Sequence, residues 1–403
     1  MAREPQPSIE RTAARQRRWS GPALWSRGFR PFFLAAGLWA IIAIVVWPFV
    51  FIGAIALPTR FAAVDWHVHE MLFGYGAAVI AGFLLTAVPN WTGRLPVAGY
   101  PLMALAAIWV AGRVAVMVSG SIGWAAAAVV DCAFLVALAA LIAREVVEGK
   151  ATRNLKVAAV VLVLAGANVG FHVEAAMLGT AAVSIRAGLA GIVFLILLIG
   201  GRVVPSFTHN WLARQGVAER PVPLNRADAA VMVLSGVALI AWIVEAPWFV
   251  AAPLLVAGGI GNFWRLARWQ GVRTFGDRLV LVLHAGFFFV ALGFLFASAQ
   301  AFRPDLVTAA AAVHVWAIGG IGTMTLAMMT RVTLGHSGRV LVASPGTQAV
   351  YAAVLIAATA RVGLEFLPAY TIELLFVAAA GWVAAFVGFV ILYWSALTER
   401  PPF

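Results

Sequence analysis

Asp65 to Arg94 reads DWHVHEMLFGYGAAVIAGFLLTAVPNWTGR, and the reading of the whole chain starts there. Two histidines and a glutamate stand at the head of an apolar run of helical length, which ends at Pro-Asn-Trp-Thr-Gly-Arg. Polar side chains are costly in hydrocarbon, so His67, His69 and Glu70 mark a place where something other than packing is at stake. A second stretch, His314 to Arg339, HVWAIGGIGTMTLAMMTRVTLGHSGR, answers the first. His69 to Arg94 and His314 to Arg339 have the same spacing, with Gly74 and Gly319 five residues after each histidine and Thr-Gly-Arg or Ser-Gly-Arg at the close.

The surroundings of these stretches are those of a membrane protein. Of 403 residues 63% are hydrophobic and only 11% charged, whereas a water-soluble globule carries about a quarter charged residues. Residues 1–27 hold six arginines and no apolar core, and read as a basic cytoplasmic tail lying near anionic lipid rather than a cleaved signal peptide. Cys132 is the single cysteine, which excludes a disulfide, a thiolate cluster and covalent haem attachment through Cys-x-x-Cys-His. Nothing in the charge pattern suggests nucleic acid as a partner.

Apolar runs of about 20 residues, enough to cross the hydrocarbon core, predict an all-α polytopic protein with about twelve transmembrane helices in one membrane domain, 28–398. They begin near Phe32, His67, Val97, Ile122, Val157, Ala182, Ala229, Trp248, Leu279, Leu306, Gly346 and Tyr370. Lysine and arginine crowd the loops on one side, which places both termini inside by the positive-inside rule. Trp47, Trp66 and Trp248 at outer ends and Trp91, Trp211, Trp264 and Trp394 at inner ends fit two aromatic belts. Spans two, six and ten run in the same direction and end in related Pro, Thr and Arg signals. Candidate repeats 28–145, 155–267 and 277–398 follow, as three parallel four-helix units around a pseudo-threefold axis.

That topology sorts the seven histidines by depth. At 1.5 Å per residue, His172 lies about 9 Å and His314 about 12 Å below the outer ends of their spans, with His67 and His69 nearer the boundary. A lone membrane histidine is usually a hydrogen-bonded packing residue, but four imidazoles from three helices at similar depth point to a metal or haem site. Neutral imidazole suits haem iron and copper alike. His67 and His69 are two residues apart, so a regular helix aims them in different directions. His209, His284 and His336 form a second, inner set. Among buried charges, Arg113 and Arg186 are placed to answer Glu70, Glu174 or a haem carboxylate, and Asp131 sits mid-span in the fourth. Glu70 and Glu174 could orient a ligand imidazole, carry protons, or simply form salt bridges between helices.

These residues resemble the NnrS family, bacterial membrane proteins associated with the response to nitric oxide. The likeness rests on Gly28-Phe29-Arg30-Pro31-Phe32-Phe33, the His67 to Arg94 block, Arg202 to Thr208, and Met329 to Arg339. The resemblance implies a twelve-span inner-membrane protein that binds non-covalent haem b and copper and protects respiring or denitrifying bacteria from nitrosative stress. There is also a partial likeness to haem–copper oxidases and nitric oxide reductases, with helices in three four-membered arcs. Span six lacks a deep histidine and span seven has none, so their three-histidine copper site is not reproduced.

The expected function is therefore a membrane haem protein that binds, and in the stronger form reduces, nitric oxide, with electrons from a quinol or another donor. His67, His69, His172, His314, Arg113 and Arg186 are the expected cofactor-binding residues, and Glu70 and Glu174 the expected proton carriers. The alternative is a proton-coupled secondary transporter that uses the buried His, Glu and Asp residues as a relay.

Overall fold

In hydrocarbon an apolar run finds no partner for its backbone N–H and C=O groups and must close those bonds within itself, which makes helices. The computed structural model describes residues 19–400, and among them there are helices and loops but no strand. The spans are α1 Phe29–Phe51, α2 Ala63–Thr92, α3 Tyr100–Met117, α4 Trp124–Glu148, α5 Leu155–Leu178 and α6 Ala182–Arg214. The second half holds α7 Arg226–Ile243, α8 Trp248–Ala267, α9 Arg278–Phe302, α10 Ala309–His336, α11 Pro345–Gly363 and α12 Thr371–Thr398.

Eleven of these are long and apolar enough to cross a bilayer, so the chain is a multi-pass α-helical membrane protein. The exception is α11, where Gln348, Tyr351 and Arg361 lower the hydropathy. It packs lengthwise on α12 and takes its place in the bundle through that neighbour. Consecutive helices pair along the chain, α3 with α4, α4 with α5, α8 with α9 and α11 with α12. The ring closes where α12 packs on α1, and Trp382 Nε1 donates to the Ala40 carbonyl at 3.2 Å. The spans α2, α6 and α10 touch one another.

Two of those three are not regular. Glu70–Gly76 in α2 and Val315–Gly322 in α10 are wound as π-helix, each starting at the residue after the histidine of the shared spacing. A π turn widens the helix and re-aims the side chains that follow it, and such turns gather at functional sites. Gly74 and Gly76 in the first, and Gly319, Gly320 and Gly322 in the second, keep the widened turns free of side-chain bulk.

Several sequence expectations shift in position. Helix α2 begins at Ala63, ahead of His67, with Asp65 in its first turn, where a carboxylate favours the N-terminal end of the helix dipole. Helix α10 begins at Ala309 because Thr308 caps it, its hydroxyl accepting the Ala311 N–H at 3.0 Å. Trp66 is not an interfacial belt residue: it is 2% exposed and belongs to the core. Residues 1–18 of the expected basic tail lie outside the described residues. The part from Trp19 onward packs on the helix ends, with the Trp19 ring edge-on to Tyr100 and the Trp25 carbonyl accepting the Gly99 N–H.

Candidate metal centre

Four helices bring polar side chains to one buried point. His69 comes from α2, Arg113 from α3, Asp131 from α4, and Asn168 and His172 from α5, where a spacing of four residues puts both on one face. Asp131 Oδ2 lies 3.1 Å from His69 Nε2 and 3.1 Å from His172 Nε2, and accepts from Asn168 Nδ2 at 2.8 Å. The other ring nitrogen of His69, Nδ1, meets Glu70 Oε1 at 3.0 Å. Arg113 ties the two carboxylates together, donating from Nη1 to Glu70 Oε2 at 2.8 Å and from Nη2 to Asp131 Oδ1. His69, Glu70 and Asp131 are at most 1% exposed.

Aromatic rings surround this centre. Phe61 stands 4.9 Å from the His69 ring and 5.1 Å from that of His172, Phe171 is 5.1 Å from His69, and Phe73 is 5.3 Å from it. In such a wall charges interact more strongly than in water, and each needs a partner. Both nitrogens of His69 face carboxylate oxygens, which suits either an imidazolium donating twice or a neutral ring with Nδ1–H on Glu70 and the Nε2 lone pair offered to a cation. The ligand atoms of His69, Asp131 and His172 lie within 4.8 Å of one another, the one such group of three found among the described residues. Two imidazoles and a carboxylate can hold a small transition-metal ion. With both Nε2 atoms on one carboxylate oxygen, no flat macrocycle fits between the two rings.

The other two outer histidines go elsewhere. His67 and His314 line an apolar cavity of about 110 Å³ between α1, α2, α6, α10, α11 and α12. The His67 ring stacks on Trp47 with centroids 4.2 Å apart, and its buried Nδ1 has no hydrogen-bond partner. His314 Nδ1 donates to the Ala310 carbonyl at 2.7 Å, which leaves Nε2 as the free ring nitrogen. Arg361 stands at the edge of the same cavity, bonded to Glu365 at 2.7 Å. The four histidines expected in one layer are thus two pairs in two environments.

The remaining expected residues lie apart from both. Glu174 accepts the Ser184 backbone N–H at 3.1 Å, and Arg186 pairs with Glu245 at 2.5 Å. In the inner set His209 is exposed, His284 Nε2 meets the Thr208 hydroxyl at 2.8 Å, and His336 Nδ1 accepts from Arg27 at 3.2 Å. These three do not converge. Asn168 was not among the expected site residues, yet its position one helical turn before His172 was a readable signal. Arg361 was not legible, since its place beside His67 and His314 depends on how α11 docks.

A bundle of membrane helices enclosing a charged, histidine-bearing centre at the level of a π turn defines a class: a polytopic membrane protein with a polar centre buried among its helices. Within that class the chain belongs to the NnrS family, whose model, described as NnrS protein, matches residues 23–400, nearly its full length. Membership ties it to the nitric oxide response. Comparison with curated proteins and with solved structures gives no match.

Proposed function

We propose that this protein serves the nitric oxide response as a metalloprotein of the bacterial inner membrane, with both termini in the cytoplasm. Its first centre is a small transition-metal ion, for which copper is suited, held by His69, His172 and Asp131. The observation that carries this reading is the donor set: three ligand atoms within 4.8 Å, with Glu70 on the far nitrogen of His69. A carboxylate in that place fixes the tautomer and orientation of a ligand imidazole.

Haem is suited to the His67 and His314 cavity by the chemistry of its donors. His67 has a buried, unpartnered ring nitrogen, His314 a free Nε2, and Arg361 a positive charge for a carboxylate. Bound there, haem supplies an iron on which nitric oxide can be held when one position stays open. Trp47 shields His67, and the apolar walls exclude water. Reduction of two nitric oxide molecules to nitrous oxide and water takes two electrons and two protons, the electrons from a quinol or another donor. Glu70 touches the first centre but Glu174 does not, so binding and sequestration are better supported than turnover.

A second reading keeps one observation of its own. Arg113, Glu70, Asp131 and His69 form one continuous hydrogen-bonded network, which would also serve a proton-coupled transporter as a relay. The deciding experiment is the optical spectrum of the detergent-purified protein, oxidised, reduced and exposed to nitric oxide, with iron and copper assayed on the same sample. A Soret band that shifts with nitric oxide is expected. His314→Ala should lower haem and spare copper, and His172→Ala should do the reverse. A colourless, metal-free protein in membranes supplied with both metals and haem would give the relay the stronger claim.

A further inference from the structure

Beyond the His67 and His314 cavity, on three of its six helices, lies a second one. Its volume is about 70 Å³, and it is lined solely by residues of α2, α6 and α10, among them Val79, Phe83, Ile196, Val203 and Met324. Of the twelve lining residues only Thr325 carries a hydroxyl, amide or charged group. That hydroxyl is already engaged: it donates to the Ile321 carbonyl at 2.6 Å and accepts from the Tyr75 hydroxyl at 2.6 Å. A buried water needs two to four polar partners, so this cavity offers water almost none and favours an apolar occupant. Dry cavities of about 150 Å³ lined by aliphatic and aromatic side chains take up xenon and other small apolar molecules.

The two cavities stand in series. Tyr75 lines the first and Thr325 the second, so their hydrogen bond is the partition between them. Tyr75 is held against Trp382 at 5.6 Å and Phe386 at 5.3 Å. Both π segments contribute to the wall of the first cavity, through Met71 and Tyr75 on one side and Ala317 and Ile321 on the other. The widened turns therefore lie where the space opens.

We propose that the second cavity is a binding site for small uncharged gas molecules, diatomic or of noble-gas size, reached from the first cavity past the Tyr75–Thr325 pair. An uncharged diatomic gives up little hydration on leaving water and needs no polar partner, so it gains from an apolar space that offers water almost none. That the gas in the cell is nitric oxide rests on the functional reading above; the existence of the site does not.

The test uses xenon on the full-length protein in nanodiscs, by 129Xe NMR and by diffraction under xenon pressure, and needs no bound metal. Xenon is expected in both cavities of protein prepared without haem, and in the second alone once haem fills the first. Ile199→Phe should fill the second and abolish its signal while the first remains, and Met328→Ala should enlarge it and raise its occupancy. Tyr75→Phe, which deletes the partition's hydrogen bond with little change in volume, should speed exchange between the two signals severalfold. Absence of xenon from the second cavity of the unsubstituted protein, or ordered water or an acyl chain in its place, would overturn the proposal. Exchange unchanged by Tyr75→Phe would overturn the route past that pair. Xenon bound in a protein whose spectrum never responds to nitric oxide would leave the gas site standing and remove the functional reading instead.

Discussion

At the scale of the residue, Arg113 decides whether the centre can exist. It is 5% exposed and bonds two buried carboxylates at once, a geometry that the planar guanidinium fork provides and an ammonium does not. Removing one partner of a buried ion pair costs about 3–5 kcal/mol because the other charges are left without compensation. Arg113→Ala should therefore lower the unfolding midpoint in detergent steeply, Arg113→Lys should restore only part of the loss, and Arg60→Ala, at the edge of the bundle, should stay within about 0.5 kcal/mol of the parent. Equal effects of Arg113→Ala and Arg60→Ala would refute the bracing role. His172 gives a second test, because an ion bound to the folded state alone adds about 2.7 kcal/mol at a hundredfold excess over its dissociation constant. Copper added to metal-free protein should raise the unfolding midpoint, and His172→Ala should remove most of that rise.

At the scale of the element, the π segment of α2 is matched to the centre it carries. A Cβ added at Gly74 would meet Trp39 Nε1 at 2.7 Å, Arg113 Nη1 at 2.9 Å and Glu70 Oε2 at 2.9 Å. Gly74→Ala should thus disturb the Arg113–Glu70 pair and reduce both stability and metal content, although alanine is the better helix former by about 1 kcal/mol. Gly166 on α5 is the control, since a Cβ there has nothing within 4 Å and the position is exposed. Thermal unfolding of the two variants should move in opposite directions or leave Gly166→Ala unchanged; a larger loss for Gly166→Ala would contradict this account of the π turn. Across the centre, Gly112 lets α3 lie close to α4, where a Cβ would stand 2.9 Å from Asp131 Oδ1.

At the scale of the whole molecule, charge sets orientation and packing sets the interior. The loops near Arg214, Arg226, Arg273 and Arg339 are arginine-rich while the opposite ends hold few, and the positive-inside rule predicts that the former face the cytoplasm. A green fluorescent protein fused after the last residue should fluoresce, and a periplasmic reporter at the same place should stay inactive; the reverse pattern would invert the topology. Because α2, α6 and α10 line the second cavity, substitutions on those three helices should affect gas binding more than substitutions on α7.

The sequence by itself determined that the chain is a helical membrane protein, where most spans lie, and that the head of the second span is special. Hydropathy and the cost of an unpaired polar group in hydrocarbon act locally, so they can be read residue by residue. It also brought out Arg113, Glu70 and Asp131 as charges that must be paired. Which of them pair, and which histidines share a site, only the tertiary structure decided. That His67 and His69 point apart was legible from their spacing on a regular helix, but which neighbours each one meets depends on how the other helices dock against α2. His69 consequently meets His172 and Asp131 on α5 and α4, while His67 and His314 face Trp47 and Arg361, residues that approach them only through the docking of α1 and α11.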